Sequence, residues 1–415
     1  MFGMLQNQKT GDSGMKILQV NCVYNKGSTG KIVHDIHMEL QKRGIESVVC
    51  YGRGEKVQEP HVYKTCRELY SKVNNLWSRV TGIMYGGCFF STNRLVSIIK
   101  KEKPDVVHLH CINGYFVNIY RLITWLKNNR IKTVLTLHAE FMHTANCGYA
   151  LDCEKWRNGC GGCPRLRKET KSWFLDGTAR SWKKMYRAFF GFEQDCVVCS
   201  VSPWLMERAK QSPILAEFRH ETVLNGIDTE HVFYPRDSAQ IRKQLGLEHR
   251  SMVLHVTAAF SLNPDHHKGG WYVVELAKQM PDVTFVIAGM GSVEQTLPEN
   301  VLFLGQLEDQ KLLADYYSAS DVTLVTSKKE TFGMVVVESL CCGTPVIGFR
   351  AGAPEMIALP AYSAFVEHGD LQELQLALQK MLEQKAEVPC AVAEQAYSKQ
   401  GMADIYCERY KEQIC

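Results

Sequence analysis

Two carboxylates, Glu330 and Glu338, stand with seven residues between them around Phe332-Gly333-Met334, a glycine-bearing turn that runs into the apolar stretch Val335-Val336-Val337. Cys342-Gly343-Thr344-Pro345 closes that stretch as a helix closes, because glycine takes the left-handed stop and proline cannot continue it. Val346-Ile347-Gly348 then reads as a short buried strand. A helix beginning near Gly333 turns unpaired N–H groups and the positive end of its dipole toward whatever precedes it. That is an anion site, and glycine at position 333 lets a phosphate approach closely. Glu338 falls about one turn inside such a helix, within reach of a polar group such as a ribose diol. Glu330 lies on the preceding loop, on the other side of the same phosphate. A nucleotide carrying a sugar fits this layout; two solvated glutamates on a surface helix are the plain alternative.

Other residues offer chemistry at the ends of strand-like runs. Lys268-Gly269 sits on the loop after Met252–Thr257 and supplies a cation for phosphate, or else an exposed charge. His108, His110 and His138 close the runs Asp105–His110 and Thr133–His138. Gly27 and Gly30 mark a turn between the run Lys16–Cys22 and a helix carrying Ile32, Val33, Ile36 and Leu40. Strand, glycine loop and helix make a phosphate cradle or simply a tight turn; the spacing is not that of a Walker loop. Cys147, Cys153, Cys160 and Cys163 suit tetrahedral zinc as a structural site, an iron–sulfur cluster, or free thiols. The segment around them is poor in apolar residues, so a metal would supply folding energy that a core does not. Residues 165–190 interleave Lys and Arg with Trp, Tyr and Phe. That pattern suits an anionic membrane surface, base stacking on single strands, or a solvated helix with buried aromatics. No recognition motif for nucleic acid accompanies it.

The elements that position these groups alternate. Further strand-like runs at Ser47–Tyr51 and Cys196–Val201, with helical stretches at Arg94–Lys103 and Phe116–Asn129, predict a parallel α/β sheet. The second half repeats the logic at Val283–Gly289, Val301–Gly305 and Asp321–Thr326. Helices are expected at Asp370–Gln384 and Glu394–Ile414, the latter broken at Gly401. Open sheets of this kind bind ligands at the carboxyl ends of their strands.

The run from Glu330 to Met356 resembles the signature of the family 4 retaining glycosyltransferases of GT-B fold. The resemblance extends over roughly residues 15–415 and implies two Rossmann-like parallel α/β/α domains facing a cleft. It implies that Glu338 holds the ribose and Glu330 lies beside the donor sugar. Backbone from Phe332, Gly333, Met334 and Val335 would hold sugar and diphosphate, and the Gly289 edge and the loop of Gly27 and Gly30 would border the nucleotide. Lys268 matches the lysine that neutralises the diphosphate. Its usual arginine partner falls at Ala259-Phe260 and is missing, with His266, His267 and Arg350 the nearest substitutes. His138 matches the histidine of a Thr-Leu-His-Asp motif that contacts the reacting sugar; here Ala139 replaces the Asp, with Glu140 next to it. The run His108 to Tyr115 and the cysteine-rich insert resemble the capsule, colanic-acid and exopolysaccharide subgroup. The implied donor is a UDP or GDP sugar, the acceptor a glycan or lipid-linked glycan, and no catalytic metal is implied. A non-catalytic nucleotide-sugar-binding protein and a sugar-nucleotide 2-epimerase on the same scaffold are the alternatives.

A chain of 415 residues has room for two to three domains at about 150 residues each. We expect a leader or cloning remnant at 1–14, an acceptor-side domain at 15–235 with the insert at 145–165, and a donor domain at 236–393. A C-terminal helix at 394–415 is expected to pack back on the first domain. A net charge of +4 gives no reason to expect nucleic acid. Sixteen cysteines without a secretory signal point to reduced thiols in a cytoplasm, with peripheral contact on the inner membrane face.

Overall fold

The computed structural model describes residues 14–291 and 296–414. Residues 1–13, where the leader was expected, lie outside the described residues, as does Cys415. Two parallel sheets carry the fold. The first holds seven strands: β1 (Lys16–Asn21), β2 (Glu46–Tyr51), β3 (Val62–Lys64), β4 (Val106–Leu109), β5 (Thr133–Leu137), β6 (Cys196–Ser200) and β7 (Arg219–Thr222), in the order β3-β2-β1-β4-β5-β6-β7. The second holds six: β8 (Ser251–Thr257), β9 (Val283–Gly289), β10 (Val301–Gly305), β11 (Val322–Val325), β12 (Val346–Phe349) and β13 (Ser363–Val366), in the order β10-β9-β8-β11-β12-β13. Helices cover both faces of each sheet. The strands β4, β5 and β6 are therefore buried along their whole length, which is why their sequences are mostly apolar without polar alternation, the few polar side chains such as His108 and Thr136 being hydrogen-bonded inside.

The sequence places ten of the thirteen strands within a residue or two and leaves out β3, β7 and β13, short strands at the sheet edges. Helix boundaries are less exact: the stretch expected from Arg94 begins at Phe89 and that expected from Phe116 begins at Ile119, and two further shifts have identifiable reasons. The first helix spans Gly27–Lys42 and so takes in the expected glycine turn. Gly27 supplies the positive φ of 63° at its start. Gly30 is needed for contact, since a Cβ there would lie 3.0 Å from Val23 Cγ2 and 3.3 Å from the Asn25 nitrogen. The C-terminal break falls at Ser398, not Gly401, and separates the helices Cys390–Tyr397 and Lys399–Ile414. The cause is a backbone bridge. Ile227 donates to the Tyr397 carbonyl at 2.8 Å and accepts from the Lys399 amide at 2.9 Å. The segment between the sheets is thereby stitched to the hinge before the last helix, and Gly226 permits the approach, because a Cβ would meet the Ser398 oxygen at 2.6 Å.

That last helix returns to the first sheet. Arg43 of the first helix pairs with Asp404 at 2.7 Å. Tyr406 and Tyr410 are buried beneath β4 and β5. The Tyr410 hydroxyl meets His108 Nδ1 at 2.6 Å, and Thr136 Oγ1 joins His108 Nε2 at 2.8 Å to the Tyr406 hydroxyl at 2.9 Å. Tyr410→Phe keeps the ring packing but leaves a buried ring nitrogen without its partner. We expect a loss of about 1–3 kcal/mol, read as a lower thermal midpoint; an unchanged midpoint would show that the bond contributes nothing.

Candidate active site

A cavity of about 410 Å³ lies between the carboxyl ends of the two sheets. His138 and Ala139 face it from the first sheet; Lys268, Glu330 and Phe332 to Val335 face it from the second. Of the sequence-predicted residues, this brings His138, Lys268, Glu330, Phe332, Gly333, Met334 and Val335 to one place.

The signature loop is held by its backbone. Gly333 sits at φ 97°, a conformation that strains any L side chain, and starts the helix Met334–Cys341. The first amides of that helix have no intrahelical acceptor, and Met334 and Val335, which carry two of them, line the cavity. The Glu330 amide donates to the Ala351 carbonyl at 2.9 Å, which fixes the loop before the turn. Its carboxylate meets Lys268 Nζ at 2.6 Å with both side chains largely buried. Burial alone would pull the Lys268 ammonium down, but Glu330 more than offsets it and the pKa is raised. Thr331, between Glu330 and Phe332, reaches across the cleft. Its hydroxyl donates to the His138 carbonyl at 2.8 Å, and its own carbonyl accepts from the Ser202 hydroxyl at 2.7 Å.

The histidine tautomers follow from a chain of bonds. Gln19 donates its amide N–H to the Val33 carbonyl at 3.4 Å, so its oxygen accepts from His110 Nε2 at 3.2 Å. His110 Nδ1 is then a bare acceptor for His138 Nε2–H, also at 3.2 Å. This leaves Nδ1 of His138 as an acceptor on a ring that lines the cavity. Burial lowers the His138 pKa to about 4, so the ring is neutral near pH 7. His110 thus acts through His138, a role that its position at a strand end only half disclosed.

Sequence reasoning missed three groups. His255, buried in β8, donates Nδ1–H to the Leu324 carbonyl at 2.9 Å; its Nε2 is buried without a partner on a ring that lines the same cavity. Alternation along an apolar strand gives no hint of this. Tyr149 of the cysteine-rich insert also lines the cavity, beside Glu330 and Lys268, and burial raises its pKa. Lys31 of the first helix attracts Glu338 electrostatically, although burial lowers its own pKa.

Several expected residues lie elsewhere. Glu338 does not line the cavity; it is 9% exposed one turn into its helix, and Oε2 accepts from the Tyr317 hydroxyl at 2.9 Å. Among the described residues no donor reaches its other oxygen. Gly27 and Gly30 stand behind Ser28 and Thr29, which do face the cavity. Gly289 borders an adjoining recess of about 240 Å³ that shares the wall Val256 to Ala258. A Cβ at Gly289 would lie 2.2 Å from the Thr257 oxygen, so the two strands close up there. Arg350 pairs with Glu367 at 2.7 Å on the surface and does not replace the missing arginine; His266 and His267 do not line the cavity either. Glu140 does not replace the missing aspartate. It is buried away from the cavity, where Arg208 meets it at 2.5 Å and the Ala150 amide at 2.7 Å.

The insert has an anchor of its own, contrary to expectation. Trp156 is 1% exposed, with the Arg208 guanidinium 4.9 Å from its ring centre. A single buried tryptophan removes a large apolar area from water. Cys147, Cys153, Cys160 and Cys163 line one small cavity of about 20 Å³. They do not form a ligand set: among the described residues no three of His, Cys, Asp or Glu are placed to hold an ion. Burial pushes the Cys160 thiol up to about 11 and raises those of Cys147 and Cys163 as well, so these three pack as neutral groups. No described helix is long and apolar enough to cross a membrane.

Glu338 yields a test of this electrostatic picture. Burial pushes its pKa up to about 6, against the lowering pull of Tyr317 and Lys31. The folded protein then binds a proton more tightly than the unfolded chain. Stability falls as pH rises through the window from the ordinary carboxylate range to about 6, and the penalty is complete above it. Glu338→Gln is expected to stabilise the ligand-free protein by on the order of 1 kcal/mol at about pH 7.5, with the gain vanishing by about pH 4. Thermal midpoints across that range check it; a constant difference would contradict the shift.

Known proteins share this architecture. Residues 29–231 match the model for "Glycosyltransferase Family 4" and residues 239–399 that for "Glycosyl transferases group 1". The chain is similar to "Putative colanic acid biosynthesis glycosyl transferase WcaC" of Escherichia coli K12, at 22% identity over 96% of this chain and 100% of that protein. It is 26% identical to the N-acetyl-alpha-D-glucosaminyl L-malate synthase of Bacillus anthracis over 67% of this chain and 63% of that one. Among solved structures, Anabaena Alr3699/HepE in complex with UDP superposes with a TM-score of 0.65 at 17% identity, covering 96% of this chain and 100% of that one. Sucrose-phosphate synthase from Thermosynechococcus elongatus gives 0.66 at 17% identity, covering 96% and 98%. With both halves matched in order and the two sheets facing one cleft, the chain belongs to the family 4 glycosyltransferases of GT-B fold.

Proposed function

We propose that the protein transfers a sugar, with retention of anomeric configuration, from a nucleotide-diphosphate sugar to a hydroxyl of a glycan or lipid-linked glycan. The setting is cytoplasmic assembly of a bacterial surface polysaccharide. The observation that carries this reading is the Lys268–Glu330 pair at 2.6 Å beside the helix start at Gly333, in a cavity large enough for a sugar diphosphate. Residues 15–235 serve the acceptor, 236–393 hold the donor, and 394–415 tie the second part to the first.

The barrier is departure of a charged diphosphate from an oxocarbenium-like carbon. Lys268 and the free amides at Met334 and Val335 lie where that charge develops. Glu330 then keeps Lys268 oriented and accepts from a sugar hydroxyl. His138 Nδ1 and His255 Nε2 are acceptors for further hydroxyls of the donor sugar. Glu338 keeps one oxygen for the ribose, Lys31 serves in place of the missing arginine, and the recess at Gly289 takes the base. The departing phosphate oxygen receives the acceptor proton on the face it has just left. Because HepE was solved with UDP, a UDP sugar is the first donor to try.

Release of nucleoside diphosphate from a panel of nucleotide sugars, with and without glycan acceptors, tests the proposal. Acceptor-dependent release with the anomer retained is the expected result; inversion contradicts it. Lys268→Ala is expected to lower turnover by about a hundredfold or more, since it removes a cation aimed at the leaving group. Nucleotide affinity is expected to fall as pH drops through about 6, where Glu338 takes up its proton, and to lose that dependence in Glu338→Gln. A flat affinity profile in the wild type would separate Glu338 from the nucleotide.

A further inference from the structure

The helix Glu68–Thr81 is turned inside out. Its buried positions are Ser71 and Ser78, while Leu69, Val73, Leu76, Trp77 and Val80 face solvent. These five recur at the spacing of one helical face, the stripe that a globular protein ordinarily buries. Leu69 is 75% exposed. The stripe does not end with the helix. Phe90, 78% exposed, packs its ring 5.9 Å from Tyr70, and Phe174, 75% exposed, follows Trp173, whose amide donates to the Arg79 carbonyl at 2.8 Å. Residues 175–177 lie against Gly82, where a Cβ would come 2.1 Å from the Leu175 oxygen. Three separate stretches of chain are thus built into one apolar ridge.

Beside the ridge runs a cationic groove of about 540 Å³, between Thr81 and Leu175 on one side and the helix Thr178–Phe189 on the other. Arg180, Lys183, Lys184 and Arg187 are exposed along one face of that helix and line the groove. Asp176 lines it too, but its carboxylate is occupied by the Thr178 amide and hydroxyl and the Cys163 amide. In the sequence, membrane contact is one reading of 165–190 taken as a whole, beside a solvated helix with buried aromatics. The fold divides that segment: Phe189 is buried, Trp182 and Tyr186 are half-buried and stacked on each other, and Trp173, Phe174 and Phe190 stay outside.

We propose that this ridge and groove form a docking surface for an anionic lipid bilayer, with the ridge entering the acyl boundary and the groove taking lipid phosphates. Exposed apolar area of this extent marks an interaction site. A row of four adjoining cations outweighs the single hydrogen-bonded carboxylate of Asp176 and selects a negative, apolar-cored partner over a neutral one. Ser71, on the inner side of the same helix, donates to the Gly114 carbonyl at 3.1 Å; the same loop carries Cys111, which lines the cleft. The docking surface therefore borders the acceptor end of the site, where a lipid-linked substrate would enter. The surface itself is inferred independently of the donor chemistry.

Flotation of the full chain with phosphatidylcholine vesicles, with and without about a third phosphatidylglycerol, tests it. Binding is expected only with the anionic vesicles and is weakened by salt. The double variant Leu76→Glu/Trp77→Glu and the charge reversal Lys183→Glu/Lys184→Glu are each expected to lower the bound fraction by about tenfold or more. All four side chains are exposed, and an unchanged thermal midpoint verifies folding; Phe174→Glu replaces any variant that fails this check. Equal flotation of wild type and variants, equal binding to neutral vesicles, or no binding overturns the proposal. So does a solution dimer that Leu76→Glu/Trp77→Glu disperses without vesicle binding, which would give the face to a second copy.

Discussion

Thr331 is the constraint on which the site depends. It donates to the His138 carbonyl at the end of β5 and accepts from Ser202 after β6, while its neighbours carry the Glu330 carboxylate and the Phe332-Gly333 turn. One residue of the second half is thus bonded twice to the first. The distance between the Lys268–Glu330 pair and the His138 ring follows from those two bonds. A buried hydroxyl and carbonyl of this kind must be paired, so opening the cleft at this point costs both bonds unless water replaces them. The Ile227–Ser398 bridge does the same on the far side, where the chain passes between the sheets and back.

Charge in the cleft is arranged by burial. One cation, Lys268, is kept charged by the carboxylate at its side, and His138 and His255 are held neutral because burial disfavours their protonated forms, at His255 in spite of the Leu324 carbonyl. Neutral rings with a fixed tautomer are hydrogen-bond acceptors, suited to hydroxyl groups and not to phosphate. The site therefore separates into a cationic, amide-rich side and an acceptor-rich side. A sugar linked to a diphosphate has the same two halves.

The sequence discloses much of this fold because both sheets are parallel and doubly covered, so most strands are short apolar runs, and a polar residue facing the cleft can follow directly, as His138 follows β5. It discloses the signature loop because a glycine between two glutamates at the start of an apolar helix leaves few other readings. It discloses much less of what depends on long-range contact. Nothing local shows that Gln19 sets the tautomer of His138 through His110, that Tyr149 of the insert reaches the cleft, or that Glu338 turns to Tyr317. The apolar spacing of the helix Glu68–Thr81 is plain in the sequence, but periodicity alone does not say which side faces the core; the serines at 71 and 78 were the overlooked signal. The cysteines are the opposite case: their spacing suits a metal or free thiols, no ligand set is formed among the described residues, and Trp156 is the buried anchor of the insert.

The central claim is that the cleft binds a nucleotide through the signature helix. Thermal midpoints with UDP, GDP, ADP and dTDP, for the wild type and Glu338→Ala, address it most directly. A nucleotide at about 100 times its dissociation constant adds about 2.7 kcal/mol to the folded state, a readily measured shift. The account predicts that at least one of the four raises the wild-type midpoint and that Glu338→Ala removes the rise. No shift with any of them, or a shift that Glu338→Ala leaves intact, would contradict it.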